Sequence, residues 1–256
     1  MNGFCPLASG SKGNAIFFGT KNTRVLIDAG LTAKAVCERL SEIGVDPTTI
    51  EAILVTHEHT DHISSLISLS ERLNIPVLAN AETAKGIVAA LNARPKFKIF
   101  ATGETFQFGD LEVHPFSVPH DTLDPVAFTI KTPSCKVGLC TDLGHTTSLI
   151  RKQLEKCDYL YVEANHEPSM VHACGRPQVY KTRVLGRQGH LSNEDCGKLL
   201  DVVFHDGLKH VHLAHLSSEC NAEAKALEVV RKWLGDRQVE ISIAYQDRVS
   251  RAVHFS

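Results

Sequence analysis

The chain has 256 residues, 43% hydrophobic and 22% charged, with a formal net charge of −2 when histidine is neutral. That balance excludes a disordered chain and a protein that coats nucleic acid over its whole surface, though a local basic groove stays compatible with it. No apolar run reaches the roughly 18 residues of a membrane helix and no basic leader precedes an apolar stretch, so neither a membrane span nor a secretory signal is expected.

In chain order, residues 15–18 and 24–28 are apolar runs split by Gly19-Thr20-Lys21-Asn22, which predicts a hairpin. Leu31, Ala35, Val36, Leu40 and Ile43 have helical spacing and Gly44 stops the helix, giving 31–43. Residues 53–56 read as a buried strand and 63–73 as a helix ended before Pro76. Short strands follow at 106–108, 111–116, 126–131 and 137–141, the first two joined by a tight turn at Gly109-Asp110. The last third alternates: helix 147–156, strand 159–163, helix 192–204 opened by Ser192 with Asp195 three residues on, strand 211–214, helix 222–234 and strand 239–244. Without repeat, low-complexity tract or linker, this reads as one α/β domain over residues 1–256. The eight cysteines form no Cys-x-x-Cys pair and read as reduced, mostly buried thiols, which points to a cytoplasmic location.

Histidine is abundant, 14 residues against 4 Tyr and 1 Trp. Three fall in His57-Glu58-His59-Thr60-Asp61-His62, where a strand ends and a helix begins. In a turning loop His57 and His59 can converge on one point, while Asp61 and His62 enter the helix and face a second. Two metal ions about 3.5–4 Å apart can clamp the attacking and leaving oxygens of a displacement. Such a pair needs more ligands than one loop supplies. Other strand ends offer Asp28, His120, Asp142 and His215.

These residues, in this order, resemble the metallo-β-lactamase superfamily over residues 9–217. The resemblance implies a four-layer αββα sandwich with a binuclear site at one edge. His57, His59 and His120 would hold one metal, Asp61, His62 and His215 the other, and Asp142 would bridge. Asp61 is a catalytic candidate as well as a ligand. Asp28 would brace the metal loop by hydrogen bonds without touching a metal. Within the superfamily, Leu7-Ala8-Ser9-Gly10-Ser11-Lys12-Gly13-Asn14, Glu163-Ala164-Asn165-His166-Glu167 and Gly189-His190-Leu191-Ser192-Asn193-Glu194-Asp195 resemble the single-domain YycJ/WalJ group, related to tRNase Z and RNase J-type nucleases. That resemblance makes Ser11, Asn14, Asn165 and His166 candidate substrate contacts and His190 the acid for the leaving oxygen.

Chemistry supports His190 in that role, because a phosphodiester leaving alkoxide gains from an acid of pKa near 7, placed here just before a helix N-terminus. Arg176, Lys181, Arg183 and Arg187 lie in a segment without an acidic residue, and Arg183 is the candidate phosphate contact. A His/Asp ligand set suits Zn²⁺ best, with Mn²⁺ or Fe²⁺ compatible. The expectation is a two-metal hydrolase that uses a hydroxide held between the ions, a phosphodiesterase or exonuclease-like nuclease acting on DNA, RNA or a nucleotide. The alternatives are a thioester or lactone hydrolase of the glyoxalase II type and a non-catalytic metal-binding regulatory module.

Overall fold

The computed structural model describes residues 1–255. The first half runs β1 (Gly3–Ala8), β2 (Ala15–Gly19), β3 (Arg24–Ile27), α1 (Ala33–Glu42), β4 (Ala52–Leu54), α2 (Thr60–Ile63), α3 (Leu66–Leu73), β5 (Val77–Ala79), α4 (Ala81–Leu91) and β6 (Phe97–Ile99). The second half runs β7 (Phe106–Phe108), β8 (Leu111–Ser117), β9 (Val126–Lys131), β10 (Lys136–Cys140), α5 (Ser148–Leu154), β11 (Tyr159–Glu163), α6 (Pro168–Ala173), α7 (Gln178–Val184), α8 (Asn193–Val203), β12 (His210–Ala214), α9 (Glu223–Leu234) and β13 (Glu240–Ile243). A last strand, β14 (Val253–His254), returns to pair with β1.

Two seven-stranded sheets result, ordered β14-β1-β2-β3-β4-β5-β6 and β13-β12-β11-β10-β9-β8-β7. In each, the strands laid down first are antiparallel hairpins and those separated by helices are parallel, since parallel neighbours need a crossover. Strand residues alternate faces. Phe4, Ile16, Phe18, Val25, Ile27 and Leu54 face the other sheet and meet Phe128, Ile130, Val137 and Tyr161. Leu7, Ala15, Phe17, Leu26 and Ile53 face outward onto Val36, Leu40, Leu66, Leu69 and Ile87 of α1, α3 and α4. On the far side Cys140, Val162 and Leu213 pack under α5, α8 and α9. The layers are therefore αββα, as the resemblance implied.

The predicted hairpins at 15–28 and 106–116 form with the expected turns. The predicted helix 63–73 is broken at Ser64-Ser65, whose hydroxyls donate to the carbonyls of Gly30 (2.6 Å) and Ala29 (3.1 Å); short hydroxyl side chains compete with helical hydrogen bonds in this way. The parallel strands β3, β4, β10, β11 and β12 end at one edge of the sandwich. Three residues just past those ends, Asp28, Asp142 and His215, carry left-handed backbone (φ 61°, 57° and 54°). Chain reversal at these corners aims side chains into the seam between the sheets. No helix among the described residues is long and apolar enough to cross a membrane.

Candidate metal centre

The loop after β4 and the loop after β8 bring three imidazoles together. His57 Nε2 lies 3.2 Å from His59 Nδ1, and His120 Nε2 lies 3.3 Å from the same atom. Each ring is oriented from behind. The Thr56 hydroxyl donates to Asp28 Oδ2 (2.9 Å), so it accepts from His57 Nδ1 (3.0 Å). His120 Nδ1 donates to the Gly189 carbonyl at 3.1 Å. Both arrangements leave Nε2 with its lone pair facing the cluster. Burial, reinforced by the neighbouring histidines, pushes His57 well below the usual histidine range. Burial also lowers His59 and His120, against the pull of Asp121 and Asp142 respectively. Three neutral ring nitrogens therefore converge, a donor set suited to a cation.

The second group is charged. His62 Nε2 lies 3.5 Å from Asp61 Oδ2 and 3.5 Å from Asp142 Oδ2. His215 Nε2 lies 3.8 Å from Asp61 Oδ2 and 3.6 Å from Asp142 Oδ1. Asp142 Oδ1 is also 3.9 Å from His120 Nε2, so this carboxylate touches both groups. Burial alone would lower His62, but Asp28 and Asp142 raise it to about 9. His215 is raised against its burial by Asp142, Asp61 and Glu163. Asp61 and Asp142 stay ionised although burial opposes it, held by His215 and His62 beside them.

Fit to a metal is tested by what the protein leaves unsatisfied. Buried Asp142 Oδ2 and His215 Nε2 have no hydrogen-bond partner, and native interiors rarely tolerate that. Ligand atoms within 4.8 Å of one another fall into the overlapping sets His57/His59/His120, His57/His62/Asp142, Asp61/His62/His215 and Asp142/Glu163/His190/His215. The donors fit a divalent metal, and the seven residues expected as ligands all meet here. Asp28 sits behind them as expected, accepting from Thr56 N (2.9 Å), the Thr56 hydroxyl (2.9 Å) and His62 Nδ1 (2.8 Å).

The remaining candidates divide. Asn14 Nδ2 reaches His62 Nε2 at 2.9 Å and Asp61 Oδ2 at 3.2 Å, so it abuts the ligands themselves. The 10–13 turn holds it there: Gly10 N donates to Asn14 Oδ1 at 2.8 Å, and a Cβ on Gly13 would fall 2.6 Å from the Gly30 carbonyl oxygen. Asn165 donates to the His215 carbonyl at 2.7 Å. Ser11 and Asn165 line a hollow of about 250 Å³ beside His190 and His215. Arg183 Nε is 2.6 Å from Asp121 Oδ2 and borders that hollow. His166 is buried, with Nδ1 unpartnered, and burial lowers it to about 4.

One residue that the motif reading did not place in the site is central to it. Glu163, fully buried at the end of β11, accepts from His190 Nδ1 (2.8 Å) and His215 Nδ1 (3.0 Å) through Oε1. Its Oε2 accepts from Leu143 N and Leu191 N, both at 3.0 Å. Burial would raise its pKa, but His190 and His215 hold it below the usual carboxylate range. The available signal is a charged residue closing the otherwise apolar run Tyr159-Leu160-Tyr161-Val162 at a strand end. His145, expected as background, pairs with Arg187, Nδ1 donating to its carbonyl at 2.9 Å.

Fold and site together define a metal-dependent hydrolase, and the chain belongs to the metallo-β-lactamase superfamily: the sequence pattern of the "Beta-lactamase superfamily domain" matches residues 23–213. It is 33% identical over 246 residues to exodeoxyribonuclease YycJ of Bacillus anthracis, covering 95% of this chain and 93% of that protein. It is 30% identical over 245 residues to exodeoxyribonuclease WalJ of Streptococcus pneumoniae, covering 94% and 91%. Among solved structures, the metallo-β-lactamase fold protein YhfI from Bacillus subtilis superposes with a TM-score of 0.74 at 15% identity, over 96% of this chain and 98% of that one.

Proposed function

We propose that the protein is a single-domain, two-metal phosphodiesterase that trims nucleic acid from an end, with DNA the first substrate to test. The observation that carries this reading is the imidazole of His190. It packs 5.0 Å from the His215 ring and 5.3 Å from the His120 ring, and its Nδ1 is committed to Glu163. The two ligand triads do not require it. The carboxylate fixes Nδ1 and the ring plane, so the other ring nitrogen is the one placed to pass a proton to a leaving alkoxide. The names of the YycJ and WalJ relatives support the same substrate class.

In this reading His57, His59 and His120 would hold one divalent ion and Asp61, His62 and His215 the other, with Asp142 in reach of both groups, and the donor set favours Zn²⁺. When bound, the ions lower the pKa of the attacking water and spread the charge developing on phosphorus. The Asp61 carboxylate would accept a hydrogen bond from the attacking water through whichever oxygen the ion leaves free, and so align it. His190 protonates the departing oxygen, Glu163 holds His190 in place, and Arg183 exchanges Asp121 for a substrate phosphate. Ser11 and Asn165 border the leaving fragment.

The test compares end-labelled DNA, end-labelled RNA and an S-acyl glutathione on the metal-loaded protein. Release of nucleotides from DNA, abolished by EDTA, is the expected result. Thioester turnover without nucleolysis would replace the reading with a glyoxalase II-type one, and inertness toward all three with metal bound would leave a regulatory module.

A further inference from the structure

We propose that the hollow between α7 and the turn at residues 217–219 seats one terminal nucleotide, and that Arg176, Tyr180 and Glu219 on its far wall set the length of the fragment released. This deepens, and rests on, the phosphodiesterase reading above.

The hollow measures about 250 Å³, just under the range of roughly 300–1,000 Å³ typical of drug-sized ligands. That suits one nucleoside better than two. Its near wall is His190 and His215, so a fragment filling it lies beside the proton donor. Its far wall is braced. Arg176 forks onto Glu219, with Nε 2.7 Å from Oε2, and its guanidinium lies 5.4 Å from the centre of the Tyr180 ring. Tyr180 packs on Val171, Val184 and Cys220, so the guanidinium plane that covers it is the surface offered to a base for stacking. The Arg176–Glu219 pair is half exposed. Exposed pairs hold weakly, so the guanidinium can turn from Glu219 to a phosphate at small cost.

A second, wider trough of about 570 Å³ lies along α7, bordered by Asp121, His145 and Arg187, and Arg183 belongs to both hollows. The trough also borders Gly189, the residue before His190. A small seat and a large trough therefore flank His190. A long strand fits only the trough, which leaves the seat for a single residue.

The experiment follows product length on end-labelled single-stranded DNA with the metal-loaded, full-length protein, and binding of a deoxynucleoside 5′-monophosphate by calorimetry. The wild type should release mononucleotides from its first turnovers. Tyr180→Ala and Arg176→Ala should shift products to di- and trinucleotides and weaken monophosphate binding about tenfold, while metal content after dialysis stays unchanged. Circular dichroism confirms that each variant is folded. Oligonucleotide products from the wild type, or variants with unchanged product length and unchanged binding, overturn the proposal while leaving the nuclease reading intact. Absence of DNA cleavage with monophosphate binding that still depends on Arg176 overturns the nuclease reading and keeps the nucleotide seat.

Discussion

Glu163 holds two histidines with one oxygen, and the two serve different ends: His215 presents Nε2 to the ligand cluster, whereas His190 belongs to neither triad. Glu163→Gln keeps the shape but replaces the carboxylate that accepts from both Nδ1 atoms with a weaker amide acceptor. It should lower kcat by about 10²-fold and weaken metal retention about 10- to 100-fold through His215, read by steady-state kinetics and by metal analysis after dialysis. His190→Ala and His215→Ala should separate these effects. The first should lose about 10²–10⁴ in kcat with metal content unchanged, and the second should lose metal. A metal-poor His190→Ala would mean that the two histidines have exchanged roles, an outcome that inductively coupled plasma analysis decides directly. The ligands were legible because four of them sit within six residues and the rest are polar residues at the ends of apolar runs. Glu163 escaped because a lone carboxylate at a strand end has no spacing partner. Its partners lie 27 and 52 residues away, and only the parallel order β10-β11-β12 brings them together.

Among the elements, α7 and the turn behind it repay most attention. Residues 176–187 read from sequence as a basic segment, yet 178–184 coil into a helix whose following turn delivers His190: Gly189 N donates to the Gly186 carbonyl and His190 N to the Val184 carbonyl, at 3.0 and 3.1 Å. A Cβ on Gly189 would fall 2.1 Å from the Arg183 carbonyl oxygen and 2.4 Å from that of Val184. Gly189→Ala must push the turn outward, carrying off both His190 and the carbonyl that orients His120. A shift of about 1 Å can cost about 10²-fold in rate, so kcat should fall by that order while the thermal midpoint moves by a few degrees. An unchanged kcat would show that the turn relaxes without moving His190. The least legible stretch was 77–99. Strands of three residues, β5 and β6, offer too few positions for an alternating pattern. The helix between them, AETAKGIVAAL, is rich in small residues that blur its apolar face.

At the scale of the whole molecule, the sandwich carries histidines that acid would force open. His212 lies in the core between Phe4, Tyr161 and Ser242, with His210 and Arg251 near it, and burial lowers it to about 3. Its unfolded value is near 6.5. As pH falls below about 6.5 the unfolded chain takes up the proton first, so stability is full above that pH and is lost progressively toward pH 3. His166, at about 4, acts in the same sense. Denaturant titrations between pH 7 and pH 5 should show stability falling by up to about 1.4 kcal/mol per pH unit for each such histidine, and His212→Gln should flatten that slope. The layered fold was legible because the same alternation of faces recurs in strand after strand. What a linear reading conveys poorly is that the ligand sets are shared across the seam. His57 and His59 follow β4 of one sheet while His120 follows β8 of the other. Asp61 and His62 come likewise from the first sheet, and Asp142 and His215 from the second. The centre thus works as a vernier on the alignment of the two halves. A slip of a few tenths of an ångström at the interface of Phe4, Phe18, Phe128 and Tyr161 would spoil the donor spacing in both sets at once. Cation affinity then becomes a gauge of how the sheets are seated, sensitive to damage too slight to unfold either.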